Sequence, residues 1–184
     1  DAITPKTKAL LLCSPSNPTG SVYTKEELAA LAVVIAKHPG IFVIADEIYE
    51  HINFVGGHES IAQFDEIKDQ CVIINGVSKG YAMTGWRIGY MAGPEWLIKA
   101  CGKLQGQMTS GACSIAMRAS LEALTGDQTC VTEMRDAFLR RRDLILGHVN
   151  SIEGVKCATP GGAFYVFPDL STYIGKTADG RKIE

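Results

Sequence analysis

Hydrophobic residues in the first half of the chain occur in short, uninterrupted runs, and longer amphipathic segments separate these runs. Each run has the length of a strand and lacks the polar alternation of a sheet that faces water on one side. The runs predict four strands, over residues 8–13, 41–45, 71–75 and 86–92. Apolar strands separated by helices indicate a mainly parallel sheet covered on both faces, which is an α/β three-layer sandwich.

The amphipathic segments predict one helix in the first half of the chain and three in the second. Thr24 and Glu27 have the spacing of a capping box, so the first helix begins after Thr24 and ends near His38, before Pro39-Gly40. The remaining helices are predicted over residues 94–105, 114–124 and 127–150. A Pro at the start of the second helix and a Gly after the third agree with these bounds.

The pattern of predicted elements changes after the last predicted helix. Residues 154–167 predict two short strands around Pro160-Gly161-Gly162, and the tail from Tyr173 is polar. We therefore predict that residues 1–148 are part of one domain and that residues 149–184 begin a second, smaller α+β domain. Two short strands have too few partners to be stable alone, so we expect the chain to be a segment of a longer protein.

Composition argues against several classes of function. The chain has 184 residues and a formal net charge of −2, which gives no reason to expect a nucleic-acid or anionic membrane partner. No apolar run approaches the roughly 18 residues that a membrane span requires. The six cysteines form no CxxC pair and no metal-ligand spacing with the four histidines, so we predict no metal site. We interpret the cysteines as small buried residues of a reduced, cytoplasmic protein, and Arg140, Arg141 and Arg142 as a solvated helix face near a helix end.

Several residues with useful chemistry follow the carboxyl ends of predicted strands, which is where open parallel sheets bind ligands. Asp46 and Glu47 follow the second strand, and Ser78-Lys79 follows the third. A lysine in a dry cleft loses proton affinity and can act as a nucleophile at neutral pH. Considered separately, the acids could equally be a helix cap or solvated loop residues, and Lys79 could be an ordinary surface residue.

Two further residues belong to the same edge of the predicted sheet. Arg87 lies between Trp86 and Ile88, and a buried guanidinium there would need a phosphate or carboxylate partner. Asn17 lies in the loop after the first strand, in a segment that could also be a plain turn. Trp86 is interpreted as a packing residue. Together, these positions place an amide, an acid, a lysine and an arginine at one edge of one sheet.

The ordered set of motifs resembles the class I/II aminotransferases of fold type I. The residues within the motifs are most similar to those of the bacterial type of aspartate aminotransferase. The resemblance covers the whole chain and rests on four segments: Asn17-Pro18-Thr19-Gly20, Asp46-Glu47-Ile48-Tyr49, Ser78 through Gly89, and Pro160 through Phe167. The resemblance implies a pyridoxal 5′-phosphate cofactor, amino-acid and 2-oxo-acid substrates, and a homodimeric parent enzyme. The last segment resembles the opening of the family's C-terminal small domain.

The resemblance also implies a role for each site residue. Lys79 would form the internal aldimine with the cofactor and later move a proton at the substrate alpha carbon. Asp46 would pair with the pyridine nitrogen, and Asn17 and Tyr49 would hydrogen-bond the ring's 3′ oxygen. Arg87 would bind the phosphate, with Ser78 as a second contact. For Tyr49, a core aromatic role stays open as the alternative.

Parts of the family pattern are missing from this chain. The upstream loop that completes the phosphate site, the aromatic residue that stacks on the ring and the downstream arginine for the substrate carboxylate do not occur here. We therefore expect the isolated chain to be inactive. The expectation that aspartate is the amino donor and 2-oxoglutarate the acceptor rests on the resemblance alone. A pyridoxal-phosphate beta-lyase, another fold type I enzyme, or a non-catalytic effector domain of a transcription regulator stay open as alternatives.

Overall fold

The computed structural model describes residues 2–183 and contains a four-stranded sheet in the order β1-β2-β3-β4. The strands are β1 (Ala9–Cys13), β2 (Phe42–Asp46), β3 (Cys71–Gly76) and β4 (Gly89–Ala92). β1, β2 and β3 are parallel, and β4 pairs antiparallel with β3. The link between β3 and β4 contains one short 3₁₀ turn, Thr84–Trp86, and no helical crossover that would return the chain parallel to β3, so β4 runs antiparallel. The predicted mainly parallel sheet is confirmed.

Four α-helices accompany the sheet: α1 (Lys25–Ala36), α2 (Glu95–Met108), α3 (Ser114–Thr125) and α4 (Thr129–Asn150). The capping box at the start of α1 is confirmed, because the Glu27 amide donates to Thr24 Oγ1 at 3.2 Å and the Thr24 amide donates to Glu27 Oε2 at 2.8 Å. Short 3₁₀ turns lie at Ile61–Gln63, Asp65–Gln70 and Ser171–Tyr173. Within residues 2–183, no helix combines the length and hydrophobicity needed to cross a membrane.

The two faces of the sheet are covered by different helices. Val43 is fully buried in a cluster with Leu28 and Ala32 of α1. Its neighbour Phe42 points to the opposite face, because side chains alternate along a strand, and its ring meets Trp96 of α2 edge-to-face at 5.5 Å. Helices on both faces give the predicted three-layer α/β arrangement.

The segment after α4 differs from its prediction. The two short strands predicted within residues 154–167 do not form; isolated bridges join Asn53 to Gly162 and Lys156 to Asp169 instead. The backbone groups around Gly161-Gly162 are used by hydrogen bonds to earlier loops, so they are not available for a local hairpin. A two-stranded hairpin lies further on, in β5 (Thr177–Ala178) and β6 (Arg181–Lys182).

The predictions about side-chain exposure were wrong for Arg142 and for most of the cysteines, whereas Arg140 and Arg141 are exposed as predicted. Arg142 lies in the middle of α4, and its half-buried guanidinium donates to Pro160 O at 3.0 Å and lies 5.0 Å from the Phe54 ring centroid. It therefore anchors the segment after α4 to the body of the protein. Of the six cysteines, which are all free, only Cys71 is buried; Cys113, which precedes α3, and Cys130, in the first turn of α4, are exposed.

Candidate active site

The loop after β1 carries Asn17 at an exposed position at the carboxyl edge of the sheet. The Asn17 amide nitrogen donates to the hydroxyl of Tyr165 at 3.4 Å. The loop ends at Gly20, whose φ of +68° lies in the left-handed region. Gly20 also lies directly against Pro160, and its carbonyl accepts a hydrogen bond of 2.9 Å from the Gly162 amide. The loop that carries Asn17 is therefore joined to the segment after α4.

The end of β2 separates its two acidic side chains. Asp46 is half-buried, pairs in register with Cys13, and accepts a hydrogen bond of 3.2 Å from the Ile48 amide on Oδ1. Burial raises the pKa of the Cys13 thiol, and the nearby negative charge of Asp46 raises it further against an opposing hydrogen bond from the Asn17 backbone. Asp46 therefore lies beside the β1 loop, at the edge where the other candidate residues follow their strands.

Glu47 lies in a different environment and makes structural contacts. Its buried carboxylate accepts a hydrogen bond of 2.6 Å from Ser60 Oγ and lies 3.0 Å from His58 Nε2. Burial by itself would lower the pKa of His58, but the hydrogen bond with Glu47 and the negative charge of that carboxylate outweigh burial and raise the pKa. Glu47, Glu50 and His58 place potential metal-ligand atoms within 4.8 Å of one another, and the buried Glu47 is already paired with the half-buried His58.

Tyr49 is buried, and its hydroxyl lies 2.8 Å from the hydroxyl of Tyr165. Its ring meets the rings of Phe164 and Tyr165 edge-to-face, at centroid distances of 5.4 and 5.8 Å. Burial raises the pKa of Tyr49 above its ordinary value, and the adjacent Tyr165 hydroxyl raises it further. Tyr49 is thus a core aromatic in part, as the alternative interpretation expected, with its polar end directed at the Asn17 side of the site.

Lys79 follows β3 and is half-buried. Its Nζ lies 5.6 Å from the centroid of the Phe164 ring, which gives the ammonium group a cation–π partner. The same Phe164 ring packs on Tyr49, so one aromatic side chain connects the lysine with the phenol. Ser78 is half-buried beside Lys79, and within residues 2–183 its hydroxyl makes no hydrogen bond.

Arg87 is exposed rather than buried, and it adopts a left-handed conformation with φ of +55°. Such a conformation is costly for a residue with a side chain and recurs at functional sites. Its Nη1 donates to Thr84 O at 2.8 Å, which leaves most of its five N–H donors for a ligand. Arg87 and Trp86 line a cleft of about 1010 Å³ between β4, α2 and α3, and the other candidate residues lie outside that cleft. Trp86 is 45% exposed, so its predicted packing role is not supported.

Phe164 and Tyr165 are site residues to which the sequence alone assigned no role. Both lie in the segment of residues 160–167. The two consecutive glycines of this segment could have indicated a close contact with another part of the chain, because glycine allows close backbone approach. A side chain at Gly162 would lie 2.8 Å from the Ile52 carbonyl oxygen. The tertiary structure therefore brings Asn17, Tyr49 and Lys79 together through two aromatic residues that are distant from them in the chain.

Comparisons with known proteins identify the family to which the chain is similar. Residues 1–179 match the family described as aminotransferase class I and II. The aspartate/prephenate aminotransferase of Cereibacter sphaeroides is 51% identical over 181 residues, which are 97% of this chain and 45% of that relative. The aspartate aminotransferase of Geobacillus stearothermophilus is 51% identical over 170 residues, 91% of this chain and 43% of its own.

A solved structure gives the same result for the fold. The crystal structure of the aspartate aminotransferase from Rhizobium meliloti superposes with a TM-score of 0.94 at 43% identity, over 99% of this chain and 46% of that one. The chain thus spans about half the length of the curated relatives it matches.

Proposed function

The chain belongs to the class I and II aminotransferases, and we propose that the protein containing it transfers an amino group from an L-amino acid to a 2-oxo acid with pyridoxal 5′-phosphate. The observation that carries this proposal is the placement of Asp46 and Lys79 after the carboxyl ends of neighbouring parallel strands, β2 and β3. Ligands of open parallel sheets bind at that edge.

The chemistry of the side chains fits the proposed cofactor. An amine at Lys79 can bond covalently to an aldehyde, and a carboxylate at Asp46 can pair with a protonated pyridine nitrogen. The amide of Asn17 and the phenol of Tyr49 can both donate to a ring oxygen, and they already converge on one oxygen atom in this structure. The unused donors of Arg87 match a phosphate, with Ser78 as a further contact.

Each of these residues has a task in the proposed reaction. When bound, pyridoxal phosphate supplies an electron-withdrawing ring that accepts the electron pair left when the substrate alpha carbon loses its proton. Asp46 would hold the proton on the pyridine nitrogen. Lys79, held beside the Phe164 ring, would move the proton at the substrate alpha carbon. The neutral phenol of Tyr49 would donate a hydrogen bond to the ring's 3′ oxygen.

Aspartate is the amino donor that the resemblance and the relatives' names support. The relatives named above are aspartate/prephenate and aspartate aminotransferases. We propose 2-oxoglutarate as the acceptor, and prephenate is a second candidate because the name of the Cereibacter sphaeroides relative includes it. An assay of amino transfer from aspartate to each acceptor would detect these reactions. A parallel assay for the release of pyruvate and ammonia would detect a beta-lyase instead.

The remaining parts of the proposal concern the whole protein. We propose that residues 1–148 belong to a large cofactor domain and that residues 149–184 begin a small domain. A cytoplasmic homodimer is supported by the free cysteines and by apolar side chains left open on α2 and α3, such as Met108 and Ile115. The molar mass of the full-length protein in solution tests the dimer.

One experiment tests the central assignment. Full-length protein is incubated with pyridoxal phosphate, reduced with borohydride and digested, and we expect the cofactor-derived mass on the peptide that contains Lys79. Lys79→Ala should abolish that adduct, whereas Lys99→Ala, which removes an exposed lysine paired with Glu95, should retain it. An adduct that persists in Lys79→Ala would show that another lysine holds the cofactor.

A further inference from the structure

Three polar groups from distant parts of the chain form one chain of hydrogen bonds at the candidate active site. The Asn17 amide nitrogen lies 3.4 Å from the Tyr165 hydroxyl oxygen, which lies 2.8 Å from the hydroxyl oxygen of Tyr49. Tyr49 is 4% exposed, so water has little access to its hydroxyl. Tyr165 thus occupies the middle position between the two residues proposed to hold the ring's 3′ oxygen.

Donor chemistry sets the direction of this chain. An amide nitrogen can only donate, so the Tyr165 oxygen is the acceptor of the Asn17 hydrogen bond. The Tyr165 hydrogen then remains to be donated to the Tyr49 oxygen, and the Tyr49 hydrogen remains free for a ligand. We propose that Tyr165 is a positioning residue that directs the hydroxyl proton of Tyr49 toward the cofactor's 3′ oxygen. This inference rests on the proposed function.

The position of Tyr165 is held by the backbone around it. The Ala163 amide donates to Ile52 O at 2.7 Å, and the Phe54 amide donates to Gly161 O at 2.8 Å. These bonds fix the segment before Tyr165 to the chain that follows Tyr49. The backbone from which the Tyr165 side chain extends is therefore held in place by the fold.

The electrostatic environment agrees with a donor role for Tyr49. Burial raises the pKa of Tyr49, and the negative charge of Asp46 raises it further. Tyr49 thus keeps its proton at neutral pH. A hydroxyl that accepts a hydrogen bond also becomes a stronger donor, since bonds in a chain polarise one another.

The test compares two cofactors in the full-length protein. Tyr165→Phe removes one hydroxyl and keeps the ring that packs on Tyr49 and Phe164. Loss of one such hydrogen bond should raise the apparent dissociation constant of pyridoxal phosphate by about fivefold. The 3-deoxy analogue of pyridoxal phosphate lacks the oxygen in question, so its dissociation constant should be the same in both proteins.

Two further variants separate positioning from general structural damage. Tyr173→Phe removes a hydroxyl that donates to the Glu153 carbonyl, away from the site, and should leave both dissociation constants unchanged. In a Tyr49→Phe background, Tyr165→Phe should have no further effect on pyridoxal phosphate binding, because it acts through Tyr49.

Each other result counts against the inference. Equal weakening of both cofactors by Tyr165→Phe, or an additive loss in the Tyr49→Phe background, would overturn the positioning role. If Tyr165→Phe bound pyridoxal phosphate as tightly as the wild type, the positioning role would also be overturned, but the proposed function would be unaffected. If the wild-type full-length protein failed to bind pyridoxal phosphate through Lys79, the proposed function and this inference would both fall.

Discussion

Replacing Gly20 with alanine should destabilise the protein and weaken its proposed cofactor site, because Gly20 is where the β1 loop meets the segment after α4. A Cβ atom at this position would collide with the Pro160 side chain and lie 2.7 Å from the Gly162 carbonyl oxygen. The second neighbour is backbone, which cannot rotate away as a flexible side chain does. Either the loop that carries Asn17 or the segment that carries Tyr165 must therefore move.

The magnitude has two sources. Gly20 has φ of +68°, and a left-handed conformation costs a residue with a side chain about 1–2 kcal/mol. Forcing a methyl group into a closely packed position costs a further amount of about 1–3 kcal/mol. Together these effects should lower the free energy of unfolding by about 2–5 kcal/mol. The 2.9 Å hydrogen bond from the Gly162 amide to Gly20 O should lengthen, which moves Tyr165 away from Asn17.

Urea unfolding of the full-length protein, followed by circular dichroism, measures the stability change, and equilibrium dialysis measures pyridoxal phosphate affinity. Gly180→Ala is the matched control, because Gly180 has a similar φ of +76° but a methyl group at this position would meet nothing within 4 Å. It should cost no more than the conformational part, about 1–2 kcal/mol, and leave cofactor affinity unchanged. Equal stability losses in the two variants would refute the close approach of Gly20 to Pro160.

Three other substitutions test separate parts of the structure. Asp46→Ala should still bind pyridoxal phosphate but lose turnover by orders of magnitude, as measured by cofactor absorbance and aspartate-dependent transfer; normal turnover would contradict the proposed role of Asp46. His58→Gln should remove the stabilisation that protonated His58 gives the folded protein. This stabilisation is fully present below the ordinary histidine pKa and is lost as pH rises through the raised pKa of His58. The urea midpoints of variant and wild type should therefore converge at high pH. A pH-independent difference would show that the charge of His58 does not stabilise the Glu47 contact. Thr24→Ala should lower the free energy of unfolding by about 1 kcal/mol, since it removes the capping box of α1, and an unchanged urea midpoint would argue against that cap.

Local signals in the sequence predict most of the sheet and its helices well. β1, β2 and β3 begin and end within one residue of their predicted bounds, because continuous apolar runs mark strands that are buried on both faces. The predicted start of α1 follows from the reciprocal bonds of Thr24 and Glu27, which depend only on residues three positions apart. Interactions of short range can be inferred without knowing the rest of the fold.

The segment around Pro160-Gly161-Gly162 shows where such reasoning stops. The sequence predicted two short strands around these residues, but the backbone groups of the segment bond to Gly20, Ile52 and Phe54, which are distant in sequence. Arg142 is a similar case, because a run of three arginines on a helix is usually solvated, whereas this one reaches Pro160 and the Phe54 ring. Neither partner can be identified from neighbouring residues.

The same division holds for the candidate site. Asp46 and Lys79 could be proposed from the sequence, since residues after the carboxyl ends of neighbouring parallel strands share one edge of a sheet. The contacts of Tyr165 with Asn17 and Tyr49, and of Phe164 with Lys79, were decided only by the tertiary structure. Strand-end residues are placed by the regular geometry of the sheet, whereas Phe164 and Tyr165 reach the site because two glycines let a distant segment pack closely against the β1 and β2 loops.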